Sequence, residues 1–337
     1  MRLDWLIGEA GPRDDERRGW VEDGAAVLLA AIALLLIVAA WGCAPVPVTS
    51  PTTAAAPDPG PLPTWYLNGS ADGSTYSLYR ADGTPLPCPA RYCAWPSAVE
   101  VAGVDYVAGS VWSDAGKADA RVGLWVGGAY VGALDGVGAL QTHPELRRLA
   151  DGTWVLATAD WTRLGSVGPT SARLWRAAEP AGPWSDAGEV YRSSSDADAA
   201  GFSVDYLCET GGAWALYLSG YPAPGVGSSA LVVTALDVAG PYGDPRVLLA
   251  PGALTLIGGL PLLAANVSPS AVLAGRAVGT GYGVAPDGTW YERTFWISGP
   301  ALGPWAVTGE AAHVAPAGLA SWENAEPALR GTACEEV

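Results

Sequence analysis

The sequence has little positive charge. Its 337 residues contain 18 Lys and Arg against 34 Asp and Glu, which gives a formal net charge of −16, and lysine occurs once, as Lys117. Proteins that bind nucleic acid neutralise phosphates with clusters of lysine and arginine. The composition therefore argues against nucleic acid as a partner, and an acidic surface of this kind more often serves solubility.

Short motifs of catalytic and cofactor chemistry are also missing. The sequence holds only two histidines, and no cluster of His, Cys, Asp and Glu has the spacing of metal ligands. It contains no serine–histidine nucleophile motif, phosphate-binding loop or dinucleotide fingerprint. The residues by themselves therefore predict no cofactor.

Long heptad or amphipathic helical patterns are absent as well. Half of the residues are apolar, with 44 glycines and 28 prolines. Short apolar segments separated by Gly and Pro turns are typical of all-β proteins. The sequence therefore predicts an all-β fold with a large core.

The N-terminal segment, residues 1–43, contains one uncharged apolar run from Gly24 to Trp41. This run is just long enough to span a membrane and also suits a secretion signal. It ends in Ala-Trp-Gly-Cys, which resembles the bacterial lipoprotein processing box, and that resemblance implies lipidation of Cys43. A retained membrane span is the alternative. Both interpretations predict an extracytoplasmic, membrane-anchored protein, at the cell surface or in the periplasm.

Residues 44–63 consist mainly of Pro, Ala and Thr, a composition typical of an extended linker. The remaining residues, 64–337, form the predicted folded domain. Four cysteines lie in this domain, which is an even number in an oxidising compartment. We predict a disulfide between Cys88 and Cys93 across a four-residue loop, whereas Cys208 and Cys334 are either a second pair or two buried thiols.

Residues 142–192 predict a four-stranded antiparallel sheet. Strand one covers residues 145–150, an Asp151-Gly152 hairpin follows, and strand two covers residues 153–159. Strand three covers residues 172–178. A Gly182-Pro183-Trp184 turn leads to strand four, which ends near Tyr191.

The same unit recurs along the chain, which is typical of repeat architectures. Gly-Pro followed by an aromatic residue occurs three times, at Trp184, Tyr242 and Trp305. Strand starts of one type recur about every 50 to 65 residues. They are Trp95-Pro96, His143-Pro144, Ser203-Val204, Ser268-Pro269 and Glu326-Pro327.

The fifth unit supplies only one strand, residues 326–333, before the sequence ends. Residues 64–70 resemble strand two of the other units, and residues 74–80 resemble strand three. A C-terminal strand that pairs with N-terminal strands completes the last blade of a propeller and protects its edges. The sequence therefore predicts a five-bladed β-propeller closed by pairing of its ends.

Strand-one starts and the loops between strands two and three lie on the same face of such a ring. The loops at residues 113–120, 162–171 and 222–229 are polar, and each follows an aromatic residue. Irregular loops on one face of a rigid scaffold often carry binding residues. The candidate residues that we place near the axis of this face are Trp95, His143, Glu145, Ser203, Asp205, Ser268, Glu323 and Glu326.

The Gly-Pro-Trp turns, the strand starts with proline and the strand order resemble the five-bladed glycosidases that include arabinanases, xylosidases and invertases. That resemblance covers residues 64–337 and implies three acids at the starts of inner strands. Only Glu326 stands directly before a proline, whereas Glu145 and Asp205 lie one residue past that proline position. Three such acids would serve to protonate a leaving oxygen and to activate water. We predict Glu145, Asp205 and Glu326 as the catalytic residues, without assigning individual roles.

Aromatic and polar residues on the same face are expected to bind a carbohydrate ligand. These substrate-binding candidates are Trp95, Trp112, His143, Trp161, Trp322 and Glu323. The resemblance also implies that a calcium ion on the axis, near His143, is compatible with the scaffold. The alternative to hydrolysis is a non-catalytic module that binds a carbohydrate or a surface polymer, and analogy between folds cannot choose between the two.

Overall fold

A computed structural model describes residues 65–70, 75–114, 116–250, 256–257, 260–261, 264–273, 276–284, 290–310, 321–329, 331–332 and 334. The N-terminal apolar run, Cys43 and the linker lie outside the described residues, so the predictions made for them stay predictions. Within the described part, no helix has the length and apolar character needed to cross a membrane.

All regular elements in the described ranges are β-strands, which confirms the all-β fold class. They are β1 (Trp65–Ser70), β2 (Ser77–Arg80), β3 (Tyr92–Val101), β4 (Val104–Trp112), β5 (Arg121–Val126), β6 (Ala129–Ala133), β7 (Gln141–Arg148), β8 (Trp154–Asp160), β9 (Ser171–Ala177), β10 (Ser185–Arg192), β11 (Gly201–Thr210), β12 (Ala213–Tyr221), β13 (Ser229–Ala235), β14 (Arg246–Leu249), β15 (Leu256–Ile257), β16 (Leu260–Pro261), β17 (Ala264–Leu273), β18 (Arg276–Val284), β19 (Trp290–Ser298), β20 (Ala306–Glu310) and β21 (Ser321–Pro327).

Four sheets each contain four consecutive antiparallel strands: β3 to β6, β7 to β10, β11 to β14 and β17 to β20. The second sheet follows the predicted unit closely. Its first strand begins at Gln141 rather than at the predicted Glu145, because Gln141 and Thr142 still pair with Asp160 and Ala159 of β8. His143 is therefore part of the strand and does not precede it.

A fifth sheet joins the two ends of the described chain. Its strand order is β2, β1, β21, with Tyr66 of β1 opposite Glu326 of β21. This pairing between N-terminal and C-terminal strands was predicted from the sequence and is confirmed. The sheet has three strands among the described residues.

The C-terminal strand ends at Pro327, and the prediction that it runs over residues 326–333 was wrong. After Pro327 the chain pairs with another sheet, since Leu329 exchanges backbone hydrogen bonds with Ala98 and Glu100 of β3. Thr332 and Cys334 then bond to the backbone of Glu209 in β11. A disulfide between Cys208 and Cys334 fixes the end of this tail, and the predicted Cys88–Cys93 disulfide is also present.

The first strands of the four four-stranded sheets and β21 contact one another in a cyclic order, whereas β15 and β16 form a separate two-stranded sheet. β3 contacts β7, β7 contacts β11, β11 contacts β17, β17 contacts β21, and β21 contacts β3. Buried apolar clusters fill the spaces between adjacent sheets, and Leu124 of β5 and Leu156 of β8 belong to the same cluster. Full burial of a leucine side chain stabilises a fold by about 1.5–3 kcal/mol, so these clusters bind neighbouring sheets firmly.

The repeated Gly-Pro-aromatic turns attach each sheet to the preceding one. The backbone N–H of each turn aromatic donates to a carbonyl in or next to the last strand of the sheet before it. The three pairs are Trp184 to Asp135 (2.8 Å), Tyr242 to Val190 (3.0 Å) and Trp305 to Leu248 (2.9 Å). All three aromatic side chains are buried. The repeat found in the sequence therefore marks sheet-to-sheet packing.

Candidate functional site

The first strands carry β-bulges at the positions where the sequence predicts functional residues. On β7, His143 and Pro144 together oppose one residue of β8, and β3 has the same irregularity between Ala94 and Ser97. The bulge of β11 lies between Val204 and Tyr206. A bulge bends its strand and redirects side chains. The side chains of Glu145 and Asp205 therefore do not follow the simple alternation of a regular strand.

Trp95 and His143, the residues directly before the prolines of β3 and β7, have left-handed backbone conformations. Their φ angles are 56° and 49°. The Trp95 N–H donates to Asn68 Oδ1 at 3.1 Å, and the His143 N–H donates to Ser110 Oγ at 3.0 Å. Such a conformation costs of order 1–3 kcal/mol and persists where the surroundings determine it, which is typical of functional sites.

The rings at these positions form a stacked column. His143 stacks on Trp95 with ring centroids 3.8 Å apart, and Trp95 stacks on Trp112 at 5.1 Å. Tyr92 continues the column, 5.3 Å from Trp112. Three of the residues predicted from the sequence to bind substrate, Trp95, Trp112 and His143, are therefore in contact with one another.

Lys117, the one lysine of the sequence, inserts its ammonium group among these rings. Its Nζ lies 4.4 Å from the ring centroids of both Trp95 and Trp161, and 5.4 Å from that of Trp112. The side chain is 3% exposed, and its backbone φ is 58°. Attraction between a cation and the faces of aromatic rings offsets part of the cost of burying the charge. We refer to Trp95, Trp112, Lys117, His143 and Trp161 as the aromatic site.

His143 is held in its neutral form. Burial lowers the pKa of its imidazole well below the usual 6.5, and the charge of Lys117 lowers it further. Its Nδ1 lies 3.0 Å from the Thr142 hydroxyl. At neutral pH the imidazole therefore packs as an uncharged ring and carries no proton for acid catalysis.

Trp161 presents an unused hydrogen-bond donor. Its indole Nε1 is buried and has no hydrogen-bond partner among the described residues. A buried donor without an acceptor costs roughly 1–3 kcal/mol. An acceptor group of a ligand, or a water, at this position would remove that cost.

Further along the same strands lies a second group of residues, which we call the axial cluster: Ser97, Glu145, Arg147, Asp205 and Ser219. The Glu145 carboxylate accepts a hydrogen bond from Arg147 Nη2 at 3.0 Å and from the Ser97 hydroxyl at 3.4 Å. Arg147 is fully buried, donates to the Leu207 carbonyl, and lies over the Tyr206 ring. Three successive first strands thus contribute to one polar network.

Asp205 completes the axial cluster from β11. Its carboxylate accepts a hydrogen bond from Ser219 at 2.5 Å. Burial raises the pKa of Asp205 well above its ordinary value, and the charge of Glu145 raises it further. Burial also raises the pKa of Glu145, against the opposing effect of Arg147. The cluster therefore favours holding a proton on its carboxyl groups.

Of the remaining candidates, Ser203 lies on β11, Ser268 lies on β17, three others lie on β21, and Cys43 precedes the described residues. On β21, Trp322, Glu323 and Glu326 are opposite Gly69, Asn68 and Tyr66 of β1. Their side chains, and Cys43, lie outside the described part of the chain. No group of three or more His, Cys, Asp and Glu able to hold a metal occurs among the described residues. The prediction of no cofactor, with an axial calcium ion as the alternative that the resemblance implies, stays a prediction.

A cavity of about 740 Å³ opens at the opposite ends of the first strands. Glu100, Arg148 and Glu209, near the ends of β3, β7 and β11, line it together with Thr332 of the C-terminal tail. We did not predict this cavity from the sequence. Its walls depend on where the tail lies after Pro327, and no sequence motif indicates that path.

Lys117 and Arg147 were also missed by sequence reasoning. A signal existed for Arg147, because Glu145 and Arg147 are oppositely charged residues two positions apart on one strand and therefore share a face. For Lys117 the only signal is its rarity, since a single lysine in an acidic sequence follows Trp112 by five residues.

No protein-family model and no curated protein matches the chain. Several solved structures are similar in fold. An exo-1,5-alpha-L-arabinanase from a bovine ruminal metagenomic library is 14% identical with a TM-score of 0.47, and the match covers 74% of this chain and 94% of that chain. An endo-1,4-beta-xylanase from Bacteroides thetaiotaomicron is 13% identical with a TM-score of 0.49, over 73% and 90% of the two chains.

A family 117 glycoside hydrolase from Zobellia galactanivorans is 12% identical with a TM-score of 0.45, over 74% of this chain and 76% of that chain. These neighbours are all glycoside hydrolases. Because the identities are low and the three TM-scores are below 0.5, the functional argument rests on the residues of this chain.

Proposed function

We propose that this chain is an exported, membrane-tethered five-bladed β-propeller that binds a carbohydrate or surface polymer at the aromatic site without hydrolysing it. The observation that carries the proposal is the aromatic site itself. Trp95, Lys117 and His143, three non-glycine residues with left-handed backbones, meet there around stacked rings. Strain concentrated at one place on a scaffold is typical of binding sites.

The chemistry of the site suits a sugar. Tryptophan offers a large apolar face for the C–H groups of a sugar ring, and its indole N–H binds hydroxyl oxygens. Trp161 is partly exposed and has a buried Nε1 with no partner among the described residues. A hydroxyl or ring oxygen of a glycan would supply the missing acceptor.

Hydrolysis would require acidic residues directly before the prolines of the first strands. In the first two sheets these positions hold other residues. The residue directly before the proline is Trp95 in β3 and His143 in β7, and His143 is uncharged. Glu145, just past the proline, is 3% exposed and bonded to Arg147. A carboxylate in a buried ion pair is poorly placed to reach a glycosidic oxygen, which must lie within hydrogen-bond distance of a general acid.

The cyclic order of contacts among the first strands supports a five-bladed propeller. Each four-stranded sheet is then one blade, and the sheet of β2, β1 and β21 is the blade that joins the two ends. Closure through a shared blade removes exposed sheet edges.

Export is supported by the cysteines. Both Cys88–Cys93 and Cys208–Cys334 are disulfides. Stable disulfides are typical of proteins outside the cytoplasm. The apolar run from Gly24 to Trp41 would supply the signal or the anchor, with Cys43 as the lipidated residue in the lipoprotein alternative.

A second candidate function is glycoside hydrolysis by Glu145, Asp205 and Glu326. One observation favours it: burial raises the pKa values of both Glu145 and Asp205, and a carboxyl that keeps its proton near neutral pH can serve as a general acid. Hydrolysis would require these groups to be accessible from the strand-start face.

A single experiment separates the two candidates. The protein from residue 44 onward is incubated with a panel of plant, microbial and animal polysaccharides, and bound glycan and released reducing ends are measured in the same samples. Binding without product supports the proposal. Product that disappears in Glu145→Gln, while binding persists, would instead establish the hydrolase. Absence of binding to the whole panel would contradict both.

A further inference from the structure

We propose that the glycan recognised at the aromatic site carries free amino groups, and that the ammonium of Lys117 occupies the position of a ligand ammonium. This inference rests on the proposed function and narrows it to a class of ligand. The class is a polycationic glycan built from amino sugars whose nitrogen is not acetylated.

The geometry around Lys117 indicates an ammonium-binding cage. The faces of Trp95, Trp112 and Trp161 surround Nζ at 4.4 to 5.4 Å from the ring centroids. Aromatic rings at such distances attract ammonium groups through their negative faces, and cages of this kind recognise cationic ligands. The cage therefore already holds the chemical group that we assign to the ligand, supplied here by the chain itself.

A neutral sugar ring finds less space at the same place. The Trp95 ring contacts His143 at 3.8 Å, Trp112 at 5.1 Å and the Lys117 ammonium at 4.4 Å. These contacts cover much of the ring surface on which a sugar would stack. In the proposed complex the amine substituent of a sugar, rather than its ring, takes the place of the Lys117 ammonium.

The negative charge of the protein also favours a cationic ligand. The formal net charge is −16, and Asp114 and Asp119, on the loop that carries Lys117, are exposed. Hydrogen bonds from the Ser113 backbone lower the pKa of Asp119, which keeps this carboxylate ionised. Negative potential around a site attracts a cationic polymer and accelerates its binding.

Lys117 acts as a competitor of the ligand in this arrangement. Its backbone lies in the left-handed region at φ 58°, which is unfavourable for a residue other than glycine. The Lys117 N–H donates to the Asp114 carbonyl, and the Lys117 carbonyl accepts from the Ala120 N–H, so both bonds lie within the loop. In the proposed complex the ligand ammonium displaces that of Lys117 from the three tryptophan rings.

The test compares three hexasaccharides on the folded protein by calorimetry at mildly acidic pH: glucosamine, N-acetylglucosamine and cellulose oligomers. We expect the glucosamine hexamer to bind the wild type at least tenfold more tightly than either other hexamer. Equal or tighter binding of a neutral hexamer would overturn this inference and leave the proposed function intact. Absence of binding by all three, and by the wider panel, would overturn both.

Variants of Lys117 test its role as competitor. Lys117→Gln empties the cage of its charge, and we expect it to bind the glucosamine hexamer several-fold more tightly, with no gain for the cellulose hexamer. Lys117→Arg keeps a cation in the cage and should bind as the wild type does. A loss of affinity in Lys117→Gln, with an unchanged melting temperature, would show that Lys117 is not a competitor.

Trp161→Ala is the control for non-specific attraction of a polycation to an acidic protein. This change leaves every charge in place, so binding that survives it undiminished would come from the acidic surface and would overturn the proposal. We expect at least a tenfold loss. The ranking of the three hexamers on the wild type keeps the test decisive even where one variant fails to fold.

Discussion

Two neighbouring positions along the first strands carry opposite chemistry. Directly before the proline, Trp95 and His143 have strained backbones and uncharged rings, and they contact a buried lysine. Just past the proline, Ser97 and Glu145 belong to the axial cluster, in which Arg147 bonds to both. The first position presents a surface for a ligand, whereas the second uses its charges within the fold.

The difference lies in how the buried charges are used. A buried carboxylate needs a partner, and Arg147 supplies it from the same strand while also bonding to the backbone of β11. The charged groups of the axial cluster are thereby committed to contacts between sheets. At the pre-proline position the polar groups that remain are backbone N–H groups bonded to Asn68 and Ser110.

The largest expected effect comes from removing the arginine of the axial cluster. Arg147→Met leaves Glu145 buried without its cation and removes the hydrogen bonds to the Leu207 and Leu146 carbonyls. We expect the free energy of unfolding to fall by about 3–5 kcal/mol. Chemical denaturation measures this change.

The matched control is Arg192→Met, which breaks an ion pair with Glu189 on the surface. The Arg192 side chain is 58% exposed. The expected loss there is much smaller, because an ion pair exposed to solvent contributes little to stability. An equally small loss for Arg147→Met would mean that the axial cluster is not structural, and the comparison between the two positions would fail.

Much of the scaffold could be predicted from the sequence, because the repeated turns and strand starts have local physical causes. The Gly-Pro-aromatic turns recur since each one attaches its sheet to the one before, as at Trp184 and Asp135. The bulges could not be predicted. They depend on hydrogen bonds to Asn68 and Ser110, which lie on other strands and are distant in sequence.

The candidate site was predicted in part for the same reason. The grouping of Trp95, Trp112 and Trp161 could be predicted because all three lie near strand ends that the topology brings to one face. The insertion of Lys117 depends on the path of an irregular loop, and the burial of Glu145 depends on Arg147. No local pattern indicates the path of that loop, and the opposite charges of Glu145 and Arg147 two positions apart are the local sign of their pairing.

A pH series tests the protonation of the axial cluster. Because the pKa of Asp205 is raised in the folded protein, its proton is bound more tightly there than in the unfolded chain. This contributes stability below the unfolded pKa of about 3.9, and the contribution is lost as the pH rises toward the folded value. Asp205→Asn mimics the protonated form.

We therefore expect the stability of the wild type, relative to Asp205→Asn, to decrease steadily as the pH rises above about 4. Thermal melting of both proteins across this range measures the difference. The lowered pKa of His143 acts in the opposite direction and is present in both proteins, whereas the raised pKa of Glu145 acts in the same direction, and the charge of Glu145 also raises the pKa of Asp205. A difference that does not vary with pH would contradict a raised pKa for Asp205.

The smallest effect distinguishes strain at the aromatic site from strain in an ordinary turn. Ala102 and Gly103 form the β3–β4 hairpin with φ angles of 52° and 78°, where glycine or asparagine is preferred. Ala102→Gly should stabilise the protein by about 0.5–1 kcal/mol. His143→Gly relieves similar backbone strain but removes the stack on Trp95, so we expect no gain. The melting temperatures of the two variants measure these effects. A rise in both would contradict the distinction between the two kinds of strain.

The measurement that tests the central claim most directly is the affinity of Trp161→Ala for the glycan that binds the wild type most tightly. The control is Leu236→Ala, which removes a 91% exposed apolar side chain from the connection between β13 and β14. We predict at least a tenfold loss for Trp161→Ala, an unchanged affinity for Leu236→Ala, and no released product from either protein or from the wild type. Unchanged binding by Trp161→Ala, or hydrolysis of the bound glycan by the wild type, would contradict the account.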